Sequence, residues 1–224
     1  MTAARETYTP ALGHAALTPV YDAAIALMTR ESVWRRAFLE QIAPAAGDVI
    51  LDVGCGTGTL ALLIKQAAPD ATVIGLDPDA AILDRARDKS RQAAVEVDFE
   101  QGFASDAARL ADRKPNKIVS SLVFHQVPLE EKRAGLAAIH AALQTGGALH
   151  VADYGLQRTR LMRALFRQIQ ILDGVQNTTP NAEGIMVLIM AEAGFAKVVE
   201  TSVIPTPTGS ISFYRATRKA GGTQ

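Results

Sequence analysis

The chain has 224 residues, 48% hydrophobic and 21% charged, which is enough apolar sequence for one sizeable core and a single α/β domain. Lysine plus arginine equals aspartate plus glutamate at 23 each, so no net basic field gathers nucleic acid or an acidic membrane surface, and a small-molecule substrate is favoured. The lone Cys55 excludes an internal disulfide framework and fits a reducing compartment; no apolar run reaches membrane-span length and no signal-type core follows Arg5 and Glu6, so the expected location is cytoplasmic.

Thr18-Pro19 reads as an N-cap followed by proline at the first helical position, and Tyr21, Ile25 and Met28 recur at helical spacing behind it. A second helix is predicted from Ser32 to Ile42, with Val33, Trp34, Ala37 and Phe38 inward. Pro44 and Gly47 then lead into residues 48–53, a β-branched apolar run of the kind a buried strand requires. It breaks into Gly54, Gly56 and Gly58, after which Leu60, Leu63 and Ile64 return at helical spacing. Glycines at a strand-to-helix turn allow positive φ and let a ligand press on the backbone, beside the unpaired amides of the helix N-terminus. The spacing is G-x-G-x-G. A dinucleotide fingerprint would need glycine at Thr59, and a Walker loop would need Gly-Lys-Ser/Thr, so both phosphate readings weaken. Asp52, at the strand end, suits an ammonium group better than a pyrophosphate.

The next strand, residues 71–76, ends in Asp77-Pro78, nineteen residues after the last glycine, where an acid can take both hydroxyls of a ribose. Asp52 to Gly58 followed by Gly75-Leu76-Asp77 resembles motif I and its acidic partner in the class I S-adenosylmethionine-dependent methyltransferases. The resemblance covers roughly residues 45–155 well and both ends more loosely. It implies a Rossmann-like, doubly wound, mostly parallel seven-stranded sheet with an antiparallel last strand, N-terminal helices and a helical insertion as lid. It also implies S-adenosyl-L-methionine as cofactor, with Asp52, Gly54, Cys55, Gly56 and Gly58 around its methionine end and Asp77 and Pro78 at the ribose. Leu17 to Asp22, with Trp34-Arg35, is similar to the N-terminal segment of the ubiquinone/menaquinone-biosynthesis type of methyltransferase, which places Tyr21 near the cofactor.

Beyond Asp77 a helix is predicted over 79–89 with Ile82, Leu83 and Ala86 inward, then a strand over 95–99. The loop from Gln101 to Asp106 is where the family meets adenine. The acid many members carry there falls on Gly102 and Asp106 comes later, leaving Phe103 and Ala104 as wall and backbone contacts. A strand over 117–123 follows, whose Ser120 and Ser121 are small enough to admit the cofactor. Phe124-His125-Gln126-Val127-Pro128 resembles the Leu-His-His-Leu-Pro stretch of many small-molecule methyltransferases. Pro128 opens a helix to Leu143 with Leu136, Ile139 and Leu143 inward, and a strand over 148–153 comes next.

From Tyr154 the pattern gives out, as an inserted lid would make it. Leu161, Leu165, Ile169 and Leu172 predict an amphipathic helix, surrounded by Arg158, Arg160, Arg163 and Arg167 that suit either an anionic substrate or a solvated face. A helix over 180–193 and an antiparallel hairpin of strands 197–203 and 210–217 complete the chain. The expected divisions are a helical cap (1–43), a cofactor core (44–153), the lid and its helix (154–194) and the closing hairpin (195–218). The acceptor is expected among His125, Tyr154, Phe166, Ile169, Gln170 and Asp173. His125 is the candidate general base, its ordinary pKa suiting that task near neutrality, although methyl transfer to an amine, thiol or activated carbon needs none. His14, His140 and His150 have no metal-ligand spacing. A homodimer is compatible with all of this. A non-catalytic S-adenosylmethionine-binding protein and, more remotely, an NAD-dependent oxidoreductase stay open as alternatives.

Overall fold

The computed structural model describes residues 30–219. Seven strands form one sheet in the order β3-β2-β1-β4-β5-β7-β6: β1 Val49–Val53, β2 Thr72–Asp77, β3 Asp98–Gln101, β4 Lys117–Ser121, β5 Ala148–Tyr154, β6 Ala196–Thr206 and β7 Gly209–Thr217. Pairings among β1 to β5 are parallel and β7 runs antiparallel to both β5 and β6. The chain therefore reverses its winding between β1 and β4, and the carboxyl ends of those neighbours open a crevice there.

Helices cover both faces: α1 Glu31–Ile42, α2 Thr59–Ala67, α3 Ala80–Gln92, α4 Leu129–Ala142, α5 Arg160–Asp173, α6 Val175–Ala182 and α7 Met186–Glu192. Alternation along the strands sorts the core into two layers. Ile50 and Val73 face Trp34, Phe38, Ile42, Leu60, Ile64 and Phe213; Leu51, Val53, Ile74 and Leu76 face Leu136, Ile139, Met186 and Met190 on the other side.

Several expectations need correcting. Helix α1 turns Trp34, Phe38 and Ile42 inward and leaves Val33 exposed, so it is part of the core and not a cover over the cofactor. The expected strand over 95–99 starts only at Asp98, because Val95 is tied back to the end of α3 by its amide to the Ser90 carbonyl (3.2 Å). The loop expected from Gln101 to Asp106 is cut short by a 3-10 helix over residues 104–113, and Asp106 closes its first turn by accepting from the Phe103 amide (2.9 Å). β4 stops at Ser121. The next residue takes a left-handed φ of +57°, and a 3-10 turn over Phe124–Gln126 follows. The helix expected over 180–193 is two, parted at Gly184 (φ +90°), with Pro180 inside α6 rather than at a start. Helix α5 is rotated from the leucine stripe: Phe166 and Ile169 are buried, while Leu161 and Leu172 face outward. The bulkier Phe166 takes the inward place, packed on Tyr154 (ring centroids 5.1 Å). Tyr21, His14 and the first predicted helix lie outside the described residues.

Candidate active site

The glycine turn connects β1 to α2, with φ of +72°, +53° and +75° at Gly54, Gly56 and Gly58. At Gly54 both demands for glycine meet. A Cβ there would lie 2.2 Å from Val123 Cγ2, so the turn and the segment after β4 are in close approach, in a conformation other residues rarely adopt. At Gly56 a Cβ would meet nothing, which leaves open space beside the turn.

Asp77, at the end of β2, accepts from the Gly56 amide (2.9 Å) and the Asp79 amide (3.0 Å) and so ties the two strand ends together. Burial pushes its carboxyl above the ordinary range, with those two amides opposing. Asp52 is fully buried in β1, and among the described residues neither of its oxygens has a hydrogen-bond partner. Burial raises it to about 7, opposed by the Arg35 charge, reinforced by Asp77, and eased least by the nearby Ala61 amide, which does not reach hydrogen-bonding geometry with either oxygen. An orphaned carboxylate costs free energy unless something cationic or donating meets it. Beneath the turn, Cys55 is buried, and its thiol is pushed up by burial and by Asp52 and Asp77; it packs beside Gly75 and is no nucleophile.

In the loop after β3, expected to meet adenine, Gly102 donates to the Asp77 carbonyl (3.0 Å), and Pro78 accepts at its carbonyl from Gln101 (3.0 Å). Phe103 and Ala104 are half-buried at the head of the 3-10 helix. Ser120 spends its hydroxyl on the Val53 carbonyl (2.8 Å) and is fully buried, joining β4 to β1, whereas Ser121 is half-buried.

At the carboxyl ends of β4 and β5 a second cluster forms. His125 Nδ1 lies 2.7 Å from Asp153 Oδ1 and Nε2 lies 3.2 Å from Asp173 Oδ2. The Tyr154 ring stands edge-on to the imidazole at 5.0 Å and Phe166 packs behind it. Of the expected acceptor residues, the structure thus brings His125, Tyr154, Phe166 and Asp173 together. Ile169 is buried beside them in the same core layer, and Gln170 turns aside to Thr179 (3.3 Å). Burial disfavours the imidazolium, but the charge and hydrogen bond of Asp153, with Asp173, outweigh it and push His125 up to about 9. The expectation of a histidine titrating near neutrality is therefore corrected for this closed arrangement.

Two residues the sequence reading missed hold this cluster in place. Asp153 is fully buried and accepts from the backbone amides of Val123 (3.1 Å), Phe124 (2.6 Å), His125 (3.3 Å) and Tyr154 (2.7 Å) as well as from the imidazole. Its signal was available: an acid ending an otherwise apolar parallel strand, at the end where such sheets bind ligands. Lys132, buried on α4, donates to the carbonyls of Phe124, Val127 (2.8 Å) and Asn177 (2.7 Å), and Asn177 donates back to Gln126 (3.0 Å). Together they fasten α6 to the histidine turn; nothing local in sequence marks so distant a partner.

The methyltransferase domain model matches residues 50–147. The demethylmenaquinone methyltransferase of Deinococcus radiodurans is 28% identical over 207 residues, spanning 91% of this chain and 81% of that one. The enzyme of the same name from Thermus thermophilus is 31% identical over 140 residues, 62% of each chain. Among solved structures, magnesium protoporphyrin IX methyltransferase from Synechocystis PCC 6803 with bound S-adenosylhomocysteine superposes with a TM-score of 0.65. That match covers 92% of this chain and 90% of the other, at 18% identity, and is a likeness of fold. With the glycine turn, the two acids and the strand order on which they sit, the chain carries a methyltransferase domain over residues 50–147.

Proposed function

We propose that the chain transfers a methyl group from S-adenosylmethionine to a small, largely apolar acceptor bearing an acidic hydroxyl. The observation that carries this is the His125 imidazole, fixed at Nδ1 by Asp153 and met at Nε2 by Asp173, with the Tyr154 ring edge-on to it and Phe166 behind, on a turn that touches the glycine loop through Val123 and Gly54. The residues present fit the cofactor: the orphaned Asp52 would meet its ammonium, the open space at Gly56 would admit its backbone contact, and Asp77 would turn from the Gly56 amide to the ribose. When bound, it supplies an electrophilic methyl group on a sulfonium.

The chain's own work is alignment and exclusion of water. Asp153 holds the tautomer with the proton on Nδ1, leaving Nε2 for the acceptor. In the closed arrangement two carboxylates keep the imidazole protonated at neutral pH. Withdrawal of Asp173 from Nε2 removes one of them, the Nε2 proton leaves to solvent, and an acceptor hydroxyl takes the vacated place at the now neutral imidazole. The imidazole then accepts the hydroxyl proton at Nε2, and the electron pair left on the acceptor oxygen drives attack from that oxygen or from a conjugated ring carbon. Relatives named for demethylmenaquinone and for 2-phytyl-1,4-naphthoquinone support an acceptor with a naphthoquinone ring, which bears the required hydroxyls in its reduced, hydroquinone form. The location consistent with this chemistry is the cytoplasm, and no described helix is long and apolar enough to cross a membrane.

The test is turnover of S-adenosylmethionine with a reduced naphthoquinone as acceptor, wild type against His125→Ala, with calorimetry against S-adenosylhomocysteine alongside. The expected result is product from the wild type, a 100- to 10,000-fold loss of rate in the variant, roughly as for a lost general base, and equal cofactor affinity in both. Cofactor binding without product from any such acceptor would favour the non-catalytic binding protein.

A further inference from the structure

Helix α5 has two working faces. The inner one carries Phe166, Ile169 and Asp173 over the histidine. The outer one, continued by the first residue of α6, exposes Leu161 (67%), Ile171 (82%), Leu172 (61%) and Val175 (60%). At 100° per residue, Leu161, Ala164, Ile171 and Leu172 share a side of the helix, and Arg160, Arg163 and Arg167 flank it. All three arginines are exposed, and among the described residues none is paired with an acid. Arg158 is taken by Glu200, and Asp173, the one acid of the helix, is taken by His125. In a chain whose net charge is zero, the segment from Arg158 to Asp173 holds four arginines and a single aspartate, so charge balance over the whole chain conceals a basic, apolar patch on the lid.

We infer that this face of α5 docks on an anionic phospholipid surface. Apolar side chains of this size with flanking arginines are what an interfacial helix offers, the first entering the acyl boundary and the second meeting lipid phosphates. Association with a second copy through the same face would bring like charges together, and nucleic acid would find no use for the exposed isoleucine and leucines. The inference deepens the proposed function, since it rests on that reading for its purpose: an apolar acceptor dissolved in lipid would pass from the surface to the histidine across a single helix. Its physical content, lipid binding by this patch, stands apart from catalysis and is measured apart from it.

The experiment is co-sedimentation of the full chain with vesicles of phosphatidylcholine alone and of phosphatidylcholine with one part in about three of phosphatidylglycerol. Wild type is compared with Arg160→Gln/Arg167→Gln and with Ile171→Ser/Leu172→Ser. Thermal unfolding and calorimetry against S-adenosylhomocysteine check that each variant is intact. The expected result is binding to the anionic vesicles only, weakened about 30-fold without the two arginines, at roughly fivefold each, and weakened again without the two apolar residues. All variants should bind S-adenosylhomocysteine as the wild type does. Equal partition onto neutral and anionic vesicles, unchanged binding in both variants, or a concentration-dependent dimer abolished by Ile171→Ser/Leu172→Ser without vesicle binding would overturn the inference. Vesicle binding by a chain that fails to bind S-adenosylhomocysteine would leave the docking face standing and remove the proposed function instead.

Discussion

The glycine turn with Asp52 and Asp77, and the cluster of His125, Asp153 and Asp173, sit at adjoining strand ends but are built differently. The first is made of chain neighbours: a strand, a turn, a helix start and one acid a strand away, joined by contacts such as Asp77 to the Gly56 amide. The second is assembled across the fold, its histidine held by an acid from β5 and another from α5, on a turn fastened by a buried lysine from α4. Local geometry makes the first hard to move, whereas the second depends on partners that can exchange. That difference suits a constant cofactor and a variable acceptor.

The most severe break expected is Asp153→Asn. It removes the charge opposite His125 and disturbs an acceptor of four backbone amides, so it should cost about 3–5 kcal/mol of stability, as breaking a buried pair does, together with a turnover loss of about 100- to 10,000-fold. Chemical denaturation and steady-state rates read both. A stable, active Asp153→Asn variant would show that the turn is held by other means. On the other side, Gly54→Ala forces a Cβ into Val123 at a positive φ, and strain plus overpacking should cost about 2–6 kcal/mol and abolish cofactor binding. Asp77→Ala should instead fold and lose roughly 10- to 150-fold in affinity for S-adenosylhomocysteine by calorimetry; unchanged affinity would remove it from the ribose.

Asp173→Asn sharpens the comparison. It takes away one of the two carboxylates that hold the imidazolium, so the pH midpoint of kcat/KM, which reports the free enzyme, should fall from about 9 by roughly one unit. A superposable profile would mean that Asp173 does not face His125 in solution. The smallest effect is on stability against pH. Because the folded value of His125 lies above its ordinary 6.5, its stabilisation is complete below about pH 6.5 and is lost as pH rises through about 9. Lys132 works in the opposite sense. Burial lowers it to about 8, so its penalty is present below that and relieved toward 10.5, while Asp52, raised to about 7, lowers stability as pH rises toward that value, which leaves the interval from about 7 to 8 to the histidine. Urea midpoints should fall across that window in the wild type and stay flat in His125→Ala.

The same contrast governs what could be read from the sequence. The strand carrying Asp52, the glycine spacing and Asp77 were legible because each is specified by residues next to it, and the family resemblance they carry implied the parallel sheet with its antiparallel last strand. The segment after β5 was read less well. Leucine spacing located α5 but turned it the wrong way, because Phe166 against Tyr154 sets its rotation and that contact is made to the end of β5, outside the helix's own pattern. His125 was found and its charge state misjudged, since Asp153 is 28 positions away in the chain. Helix α1, expected to close over the cofactor, carries Trp34 and Phe38 into the core, a role decided by the face of the sheet left uncovered rather than by its own pattern.

Cofactor recognition by an acid kept buried without a partner is the central claim, and Asp52→Asn tests it most directly, with calorimetry against S-adenosylhomocysteine and thermal unfolding on the same samples. Removing a buried, unpartnered charge should leave the free protein at least as stable as the wild type, while affinity falls roughly 10- to 150-fold through loss of a charge-assisted hydrogen bond. A variant that binds S-adenosylhomocysteine as tightly as the wild type would contradict the claim and leave Asp52 as a feature of the strand alone.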